Sequence, residues 1–549
     1  MKRICMLLSL GALLLSSCNT FSRLENQHTG KWAFYIEGEL PDIGSFSAKE
    51  KVKHDNAITS VFVPSTEYKS VIPYVGKAVR YETPENDGFQ ASSVYLSYGF
   101  CTPDGKIISD ANKNINNLYH TVTEDDFGYY YVYVSPERMD STVTEEFMFQ
   151  NQKTILIPEN GQWCIELPKG SWVSGVGWGS ILVQHPLEAD EHGYPTKSSI
   201  RVYGYDGMLK KELFGYDNLI PAGENLFILH QYSQNDSRAV FVDVEGNTVF
   251  GPYKNADAFN KYGITAVTDV DGNSYFIKTD GTALNDKIYK NIDAVYSGGD
   301  RVAYRATHKE NTAVCDIYRI DGSFLCTATG SVSYSNVFVG KEGKVVISNY
   351  HNGEYVFTNP DRSPFANSEG ISPNQFTSVD GVFVNKNDET SVGTVFDFNG
   401  DNIAKLENFE YLYDVKDDAK YLVYKTGSVR FDYNEHTEQN LVVNTAKIHI
   451  YDVDNERIVC SFEGEGSGTF VGKGDRYIEI STYDAGDFFY GGSGKSCLFD
   501  TVTQKVLFSD CLDITHYNVN NKDYFSVSGK NKSTLYDENM TKIISEYYE

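Results

Sequence analysis

Hydrophobic and polar residues alternate along most of this chain, and the alternation runs repeatedly into a turn dipeptide. The clearest copy is 275–284, where apolar residues alternate up to Asp280-Gly281 before the chain turns back. A period of two predicts a strand with one buried face, and Asp-Gly favours a tight hairpin because glycine adopts positive φ without a steric penalty. Similar copies occur at 201–209, 241–250, 316–325 and 395–404. The pattern predicts successive β-hairpins.

The predicted turns recur at a nearly constant interval. They fall near residues 206, 245, 280, 321, 360 and 399. Each interval holds four strand-length segments, and four short strands in about 40 residues form the unit of a β-propeller blade. One such unit cannot bury both of its faces, so neighbouring units must pack against it. The sequence therefore predicts an all-β fold, a β-propeller-like array of four-stranded repeats of about 40 residues.

The pattern divides the chain into four parts. We expect a signal peptide at 1–17, a tether at 18–30, an N-terminal β region with degenerate repeats at 31–168, and the repeat domain at 169–549. Two polar or glycine-rich inserts interrupt the repeat domain, at 430–441 and 483–495. Loops on a rigid scaffold commonly carry recognition, so both inserts are candidate binding segments.

Some units resemble a known family of repeats. Residues 261–267 read Lys-Tyr-Gly-Ile-Thr-Ala-Val and are followed by Asn-Ser-Tyr-Phe-Ile-Lys-Thr-Asp-Gly at 273–281, and 97–105 is similar to the second half. This resembles a degenerate WG repeat, although the Trp-Gly pair is missing from these units and occurs instead at 178–179. The resemblance implies a β-repeat array with a binding or structural role, and it supplies no catalytic residues.

The N-terminal residues predict the subcellular location of the protein. Lys2 and Arg3 precede an apolar run at 4–15 that is too short to span a bilayer. Leu-Ser-Ser-Cys at 15–18 resembles the lipobox of bacterial lipoproteins, which implies cleavage before Cys18 and a lipid on its thiol. The alternative is an ordinary secretory signal with an accidental cysteine. The favoured interpretation is a lipid-anchored protein of the bacterial cell envelope, at the outer membrane, with the face left open.

The net charge argues against a nucleic-acid partner, and the cysteine spacing argues against a zinc site. The formal charge is −27, from 48 Lys and Arg against 75 Asp and Glu. A surface this acidic repels phosphate backbones, so we expect no nucleic-acid partner. Seven cysteines remain beyond residue 18 without any C-x-x-C pair, which favours small core residues over a zinc site. A bridge between Cys315 and Cys326 stays open.

The sequence contains two kinds of run that resemble cofactor or metal motifs, and neither kind is complete. Gly-Gly-Ser-Gly-Lys-Ser at 491–496 resembles the end of a P-loop, but Phe489 stands where the first glycine is required, and a strand pattern follows. Asp-x-Asp/Glu-Gly-Asn at 243–247 and 269–273 suits hairpin turns better than calcium loops. We expect no nucleotide, metal or other cofactor.

Aromatic residues supply the candidate binding positions. Trp163, Trp172 and Trp178 lie in a glycine-rich region, where core packing is the favoured interpretation and ligand contact the alternative. The second insert carries a consecutive aromatic run. The candidate binding residues are Trp172, Trp178, Phe488, Phe489 and Tyr490.

The function predicted from these features is binding or assembly without catalysis. No catalytic motif is present, and the expected ligand is a protein or glycan of the cell envelope. The alternative is a carbohydrate-active hydrolase that uses acidic residues in a propeller funnel. A pair of carboxylates converging in one deep pocket would favour the hydrolase, and a broad aromatic or loop-rich face would favour the binding module.

Overall fold

Antiparallel sheets follow one another along the chain. The structure is a computed structural model that describes residues 35–36, 62–82, 92–112, 115–134, 153–167, 171–189, 195–214, 219–232, 237–297, 300–329, 336–340, 343–351, 354–363, 365, 377–379, 382–387, 389–415, 419–434, 439–483 and 494–547. Within these ranges the regular elements are all strands, and no helix there is long and apolar enough to cross a bilayer. The fold is all-β and propeller-like, as the alternation predicted.

The first four sheets, each with four strands, are named by their strands. They are β1 (Tyr35–Ile36), β2 (Ile72–Glu82), β3 (Ser92–Cys101) and β4 (Ile107–Asn112); β5 (Ile115–Val122), β6 (Gly128–Val134), β7 (Lys153–Pro158) and β8 (Ile165–Glu166); β9 (Trp172–Gly177), β10 (Ser180–Ala189), β11 (Pro195–Gly204) and β12 (Leu209–Phe214); and β13 (Leu219–Gly223), β14 (Leu226–Tyr232), β15 (Ser237–Val242) and β16 (Thr248–Tyr253).

The middle of the chain forms a seven-stranded sheet followed by a three-stranded and a four-stranded sheet. They are β17 (Asn255–Ala256), β18 (Ile264–Thr268), β19 (Ser274–Lys278), β20 (Tyr289–Ser297), β21 (Asp300–His308), β22 (Val314–Arg319) and β23 (Phe324–Thr329); β24 (Asn336–Val339), β25 (Val345–His351) and β26 (Glu354–Thr358); and β27 (Thr377–Val379), β28 (Val382–Asn387), β29 (Val392–Asp397) and β30 (Asn402–Leu406).

The last part of the chain forms three four-stranded sheets and a separate hairpin. They are β31 (Phe409–Val415), β32 (Tyr421–Thr426), β35 (Lys447–Asp452) and β36 (Arg457–Glu463); the hairpin β33 (Val429–Asn434) and β34 (Gln439–Asn444); β37 (Glu465–Val471), β38 (Tyr477–Tyr483), β39 (Lys495–Asp500) and β40 (Lys505–Cys511); and β41 (Asp513–Val519), β42 (Lys522–Ser528), β43 (Lys532–Asp537) and β44 (Lys542–Tyr547).

Four of the predicted turns, at 207, 246, 322 and 400, lie between paired strands and contain a glycine in the left-handed conformation that such turns require. Gly207, Gly246, Gly322 and Gly400 all have φ between +75° and +84°, and Gly281 has a φ of +80°. These are left-handed conformations that only glycine adopts without strain. The periodicity read from the sequence is therefore confirmed at the level of single turns.

The seven-stranded sheet departs from the predicted four-strand unit. Where the hairpin at Gly281 should return as a full strand, only an isolated bridge forms, between Ile277 and Ala283. The chain then reaches β20, which joins β19 through the single pair Ser274 and Tyr289. Two units thus merge into one sheet because the returning segment is too short to pair along its length.

The insert predicted at 430–441 is a hairpin added within one repeat. Strands β33 and β34 pair with each other and lie between β32 and β35, which pair directly with one another. The extra residues therefore extend the repeat without interrupting its four-stranded sheet. The domain boundary near residue 168 stays a prediction.

Neighbouring sheets pack in chain order, and the first and last described sheets also meet. Ile72 and Tyr74 of β2 share one hydrophobic cluster with Tyr524 and Leu535 of the β41–β44 sheet. The backbone N–H of Val75 donates to the hydroxyl of Ser526 at 3.0 Å. Contacts between residues this far apart in sequence tie the two ends of the described array together.

Candidate functional site

A cleft of about 520 Å³ lies between the β31–β36 and β37–β40 sheets. Strand β38 ends at Tyr483 and β39 begins at Lys495, so the two ends of the insert predicted at 483–495 border the cleft. The predicted binding residues Phe488, Phe489 and Tyr490 lie outside the described residues. The structure nevertheless places the two ends of their segment, Tyr483 and Gly494, at this cleft.

Four strands supply the lining, which mixes apolar, hydroxyl, thiol and charged groups. The lining residues are Cys460, Ser461, Phe462, Glu463, Thr482, Tyr483, Gly494, Lys495, Cys497, Val506, Ser509 and Asp510. Pockets that hold ligands commonly combine apolar surface with a few polar groups that fix orientation. This cleft has that composition.

Glycine allows the strands to approach closely at the edge of the cleft. A Cβ on Gly494 would lie 1.8 Å from the carbonyl oxygen of Thr482, and one on Gly466 would lie 1.9 Å from that of Ser481. Real Cβ atoms do not come this close to backbone oxygen, so any side chain at either position would force the strands apart. The glycine-rich end of the insert is therefore needed for the local sheet geometry.

Ion pairs stand at the rim of the cleft. The ammonium of Lys495 lies 3.5 Å from the carboxylate of Asp510, and that of Lys447 lies 3.2 Å from Glu463. Asp510 has a φ of +55° at an irregular register between β39 and β40, a conformation that aspartate tolerates better than most residues. Both acids are largely exposed, so the pairs contribute little to stability and can exchange their partners for charges on a ligand.

The thiols in and beside the cleft are poor nucleophiles because they stay protonated. Burial raises the pKa of Cys460 and of Cys497, and it raises the pKa of the neighbouring Cys511 to about 12. Thiols that stay protonated near neutral pH are poor nucleophiles and poor metal ligands. Within the described ranges, no group of three or more His, Cys, Asp or Glu residues could hold a metal ion.

Tyrosines that the sequence reasoning missed extend the aromatic surface from Tyr483. Tyr411 and Tyr413 of β31 pack edge to face with ring centroids 5.2 Å apart, and Tyr411 is 46% exposed. Burial raises the pKa of Tyr413, and Glu465 and Tyr483 add to the effect, so these groups are close to one another. The signal in the sequence was the Tyr-Leu-Tyr alternation at 411–413, which marks one strand face as aromatic.

Core packing and ligand contact were the two interpretations of the three tryptophans, and core packing does not hold for all of them. Trp163 packs in the core, stacks on Phe127 and donates its indole N–H to the carbonyl of Tyr205 at 2.8 Å, so core packing is confirmed there. Trp172, on β9, is 42% exposed, and Trp178 is half-buried in the β9–β10 turn with a φ of +55°. Core packing is therefore wrong for Trp172.

Ligand contact by these two tryptophans stays a prediction. Both lie in the β9–β12 sheet, and neither lines the cleft at β36–β40. The structure therefore places these two tryptophans apart from the cleft.

The motifs set aside in the sequence have ordinary structural roles. Lys495 and Ser496, the end of the P-loop-like run, belong to strand β39 rather than to the helix that a P-loop needs. The carboxylate of Asp243 accepts the backbone N–H groups of Glu245 and Asn247 at 2.9 and 2.8 Å, which is the turn geometry expected of Asx-Gly. Cys315 and Cys326 are free thiols on paired strands, so the open bridge is not formed.

The comparisons with known proteins concern the fold. No family model matches this chain, and neither does any curated protein sequence. A crystal structure of a eukaryotic initiation factor is 11% identical with a TM-score of 0.40, and the match covers 79% of this chain and 95% of that one. Tricorn protease is 12% identical with a TM-score of 0.27 over 85% of this chain and 57% of its own. Hsv2 of Kluyveromyces lactis is 10% identical with a TM-score of 0.22 over 65% and 98%. At these TM-scores the matches carry no argument about this chain, and the description of its fold rests on its own four-stranded sheets.

Proposed function

We propose that this protein is a lipid-anchored binding module of the bacterial cell envelope, which holds a protein or glycan ligand at the β36–β40 cleft without turning it over. The observation that carries the proposal is the position of the cleft between the two ends of the aromatic insert at 483–495. Aromatic side chains bind proteins and sugars through large contact areas at low cost in conformational entropy. The degenerate WG-like repeat then serves as a rigid scaffold.

The chemistry of the cleft favours binding over catalysis. Its two acids, Glu463 and Asp510, are exposed and each is paired with a lysine. General acid catalysis by a carboxyl needs a protected site that keeps the proton in place, which these rim positions lack. The buried thiols hold their protons as well.

The lipid would attach to Cys18, which lies outside the described residues. Removing residues 1–17 takes away Lys2 and Arg3 and no acid, so the charge changes from −27 to −29. An acidic module tethered at the outer membrane would meet basic or cation-bridged partners at an advantage, and its affinity would fall as salt rises.

Capture from envelope fractions tests the binding role. Purified protein is immobilised and compared with a variant that lacks 488–493, which keeps Gly494, and with Lys495→Ala; we expect capture to fall strongly in the first and several-fold in the second. Lys420→Ala is the matched control, because Lys420 has similar exposure and pairs with Asp454 away from the cleft. Protease treatment and periodate oxidation of the fraction identify whether the lost ligand is protein or glycan.

Three results would contradict the proposed function or favour the hydrolase. Equal capture by the deletion variant and the wild type would refute the role of the cleft. Turnover of an envelope glycan by purified protein, abolished by one Asp or Glu substitution that leaves the fold intact, would replace the binding role by the hydrolase. For the anchor, Cys18→Ser should abolish labelling with radioactive palmitate and leave the precursor unprocessed; normal labelling would refute it.

A further inference from the structure

Strand β36 presents a backbone edge to the cleft. It is the last strand of the β31–β36 sheet, and among the described strands it pairs with β35 alone. The four consecutive residues 460–463 of β36 all line the cleft. Successive side chains of a strand point to opposite faces, so a cleft against one face would be lined by alternate residues. The cleft therefore lies along the edge of β36 rather than on one face of its sheet.

The part of β36 that borders the cleft is regular. Its pairing with β35 stays in register from Cys460, opposite Ile450, to Glu463, opposite Lys447. In a regular antiparallel pair, residues alternately direct both of their backbone hydrogen-bonding groups towards the partner strand and away from it. Two of the four residues at 460–463 therefore direct an N–H donor and a C=O acceptor towards the cleft.

Side chains hold this edge in place across three strands. The hydroxyl of Ser461 lies 2.7 Å from Nδ1 of His449, whose Nε2 lies 2.9 Å from the hydroxyl of Thr426 on β32. His449 is buried, and its ring packs against that of Tyr424 with the centroids 5.0 Å apart. Because the edge is already ordered, a ligand that pairs with it requires little rearrangement of the protein, which favours binding.

Edges of other sheets carry residues that discourage pairing. Strands β12, β16 and β30 are also last in their sheets, and they carry Lys211, Pro252 and Lys405. Lysine and proline within an edge strand hinder the addition of another strand. In β36 the charged residues, Arg457 and Glu463, stand at the two ends, and the five residues between them are uncharged. This edge is therefore open to pairing.

The spacing of the groups along the edge matches a polypeptide backbone. Donors and acceptors repeat along a strand, and four residues span about 13 Å. An extended peptide repeats its own N–H and C=O groups at the same spacing, whereas the hydroxyls of a sugar do not. A strand that adds to a sheet gains affinity from main-chain hydrogen bonds and specificity from the contacts of its alternate side chains.

We propose that the cleft binds an extended peptide segment of a partner protein, which joins the sheet as a strand beside β36. This mode of binding rests on the proposed function of the cleft, and it selects a protein ligand over a glycan. Phe462 and Tyr483 offer apolar contact to the segment, and the carboxylates of Glu463 and Asp510 are exposed at the rim. A segment of β-branched or aromatic residues flanked by lysine or arginine fits this lining.

A short synthetic peptide tests the proposal on the full-length chain. The probe has eight residues, threonine and valine in alternation with a lysine at each end, and both termini are blocked. We expect saturable binding by fluorescence anisotropy of the labelled peptide. In hydrogen exchange, about two amides within 460–463 should slow when the peptide is bound. Exchange of β12 at 209–214, whose edge carries lysines, should stay unchanged.

N-methylation of the peptide separates strand addition from contact by side chains alone. An isomer methylated on two alternate amides keeps one complete edge and should still bind. An isomer methylated on two adjacent central amides has neither edge complete, so it should bind at least tenfold more weakly. The two isomers have the same composition and charge.

A matched pair of variants tests the protein side. Ser461→Lys places a charge in the middle of the edge and should weaken binding of the unmethylated peptide several-fold. Ile458→Lys is the control, because Ile458 is exposed on the same strand but does not line the cleft. Thermal unfolding checks that both variants are folded.

Equal binding of the two methylated isomers, or binding that leaves exchange at 460–463 unchanged, would overturn the proposal. Slow exchange at 460–463 without peptide would overturn it as well, because the edge would then be covered by this chain or, where the rate depends on protein concentration, by a second copy.

The outcomes for the cleft and for strand addition can be told apart. Envelope capture that is lost in the variant lacking 488–493, resists protease and is removed by periodate would assign the cleft to a glycan; the proposed function would then stand and strand addition would fail. Strand addition by the peptide together with unchanged capture in that variant would give the reverse result.

Discussion

The Asp280-Gly281 turn allows a quantitative test of how the repeat is held. Gly281 has a φ of +80°, and a Cβ added there would lie 3.0 Å from Cγ of Phe250 on the preceding sheet. Gly272, in the turn before it, has a φ of +81°, and a Cβ there would meet no heavy atom within 4 Å. Substitution at the two glycines therefore has the same backbone cost but a different packing cost.

The expected magnitudes follow from these two facts. An alanine in the left-handed region costs about 1–2 kcal/mol, so Gly272→Ala should destabilise its turn by that amount. Gly281→Ala should cost about 1 kcal/mol more, because the ring of Phe250 must move a few tenths of an ångström. Gly281→Val should cost more again, since a β-branched residue is strained at positive φ.

Native-state hydrogen exchange measured by mass spectrometry is the suitable assay. A long repeat array need not unfold in one step, so a global melting temperature averages over the change. The reporters are the amide N–H of Gly281, which donates to Lys278 at 2.8 Å, and that of Lys278, which donates to Thr282 at 2.9 Å. Since about 1.4 kcal/mol is a factor of ten, Gly281→Ala should speed exchange of 274–284 by roughly thirtyfold or more.

A second substitution isolates the packing term. Phe250→Leu leaves room at the ring position, so it should cost less in the Gly281→Ala background than in the wild type. Equal exchange rates in Gly281→Ala and Gly272→Ala would show that Phe250 imposes no constraint. Unchanged exchange in both variants would mean that the turn register assigned here is incorrect.

Three further predictions concern buried polar groups. Burial would raise the pKa of Asp316, but hydrogen bonds from Thr327, Lys287 and other neighbours lower that pKa to about 2. The contribution of Asp316 to stability is therefore present above pH 4 and lost towards pH 2. Asp316→Asn should make stability depend less on pH in that range, and an unchanged acid-denaturation profile would contradict this. Burial raises the pKa of Glu479 to about 8, so the folded state retains a proton that the unfolded state loses. The free energy of unfolding should therefore fall by up to about 1.4 kcal/mol per pH unit between pH 4.5 and 8. Glu479→Gln should remove that slope in urea titrations. Glu159 accepts hydrogen bonds from His120 at 2.7 Å and from the N–H of Asn520 at 3.2 Å, which links the β5–β8 sheet to the last sheet. Glu159→Ala should cost about 1.5–3 kcal/mol in urea unfolding, and a neutral result would show that this link is dispensable.

Local chemistry explains why much of the fold could be predicted. A turn such as 278–282 closes within five residues, and its requirement for positive φ is visible as Asp-Gly in the sequence. The insert at 430–441 was recognised because it lengthened one interval between turns. Both signals involve residues near one another in the chain.

Some predictions failed where neighbours in space override local pattern. The continuous apolar run at 129–134 predicts a strand buried on both faces, yet Tyr131 and Tyr133 stay partly exposed while Tyr130, Val132 and Val134 are buried. Composition cannot tell which face of a strand receives a neighbouring sheet. The same limit explains why Trp163 is packed while Trp172, nine residues later, is exposed.

The sequence by itself determined the strands, the turns, the inserts and the expectation of a lipid anchor, because each depends on residues within about ten positions of one another. Only the tertiary structure decided which sheets touch. It set the cleft between β36 and β40 and the meeting of Val75 with Ser526, and it partly buried Glu479. Burial and electrostatic coupling act through space, so groups that look like ordinary surface acids in the sequence acquire unusual proton affinity only once the sheets have packed.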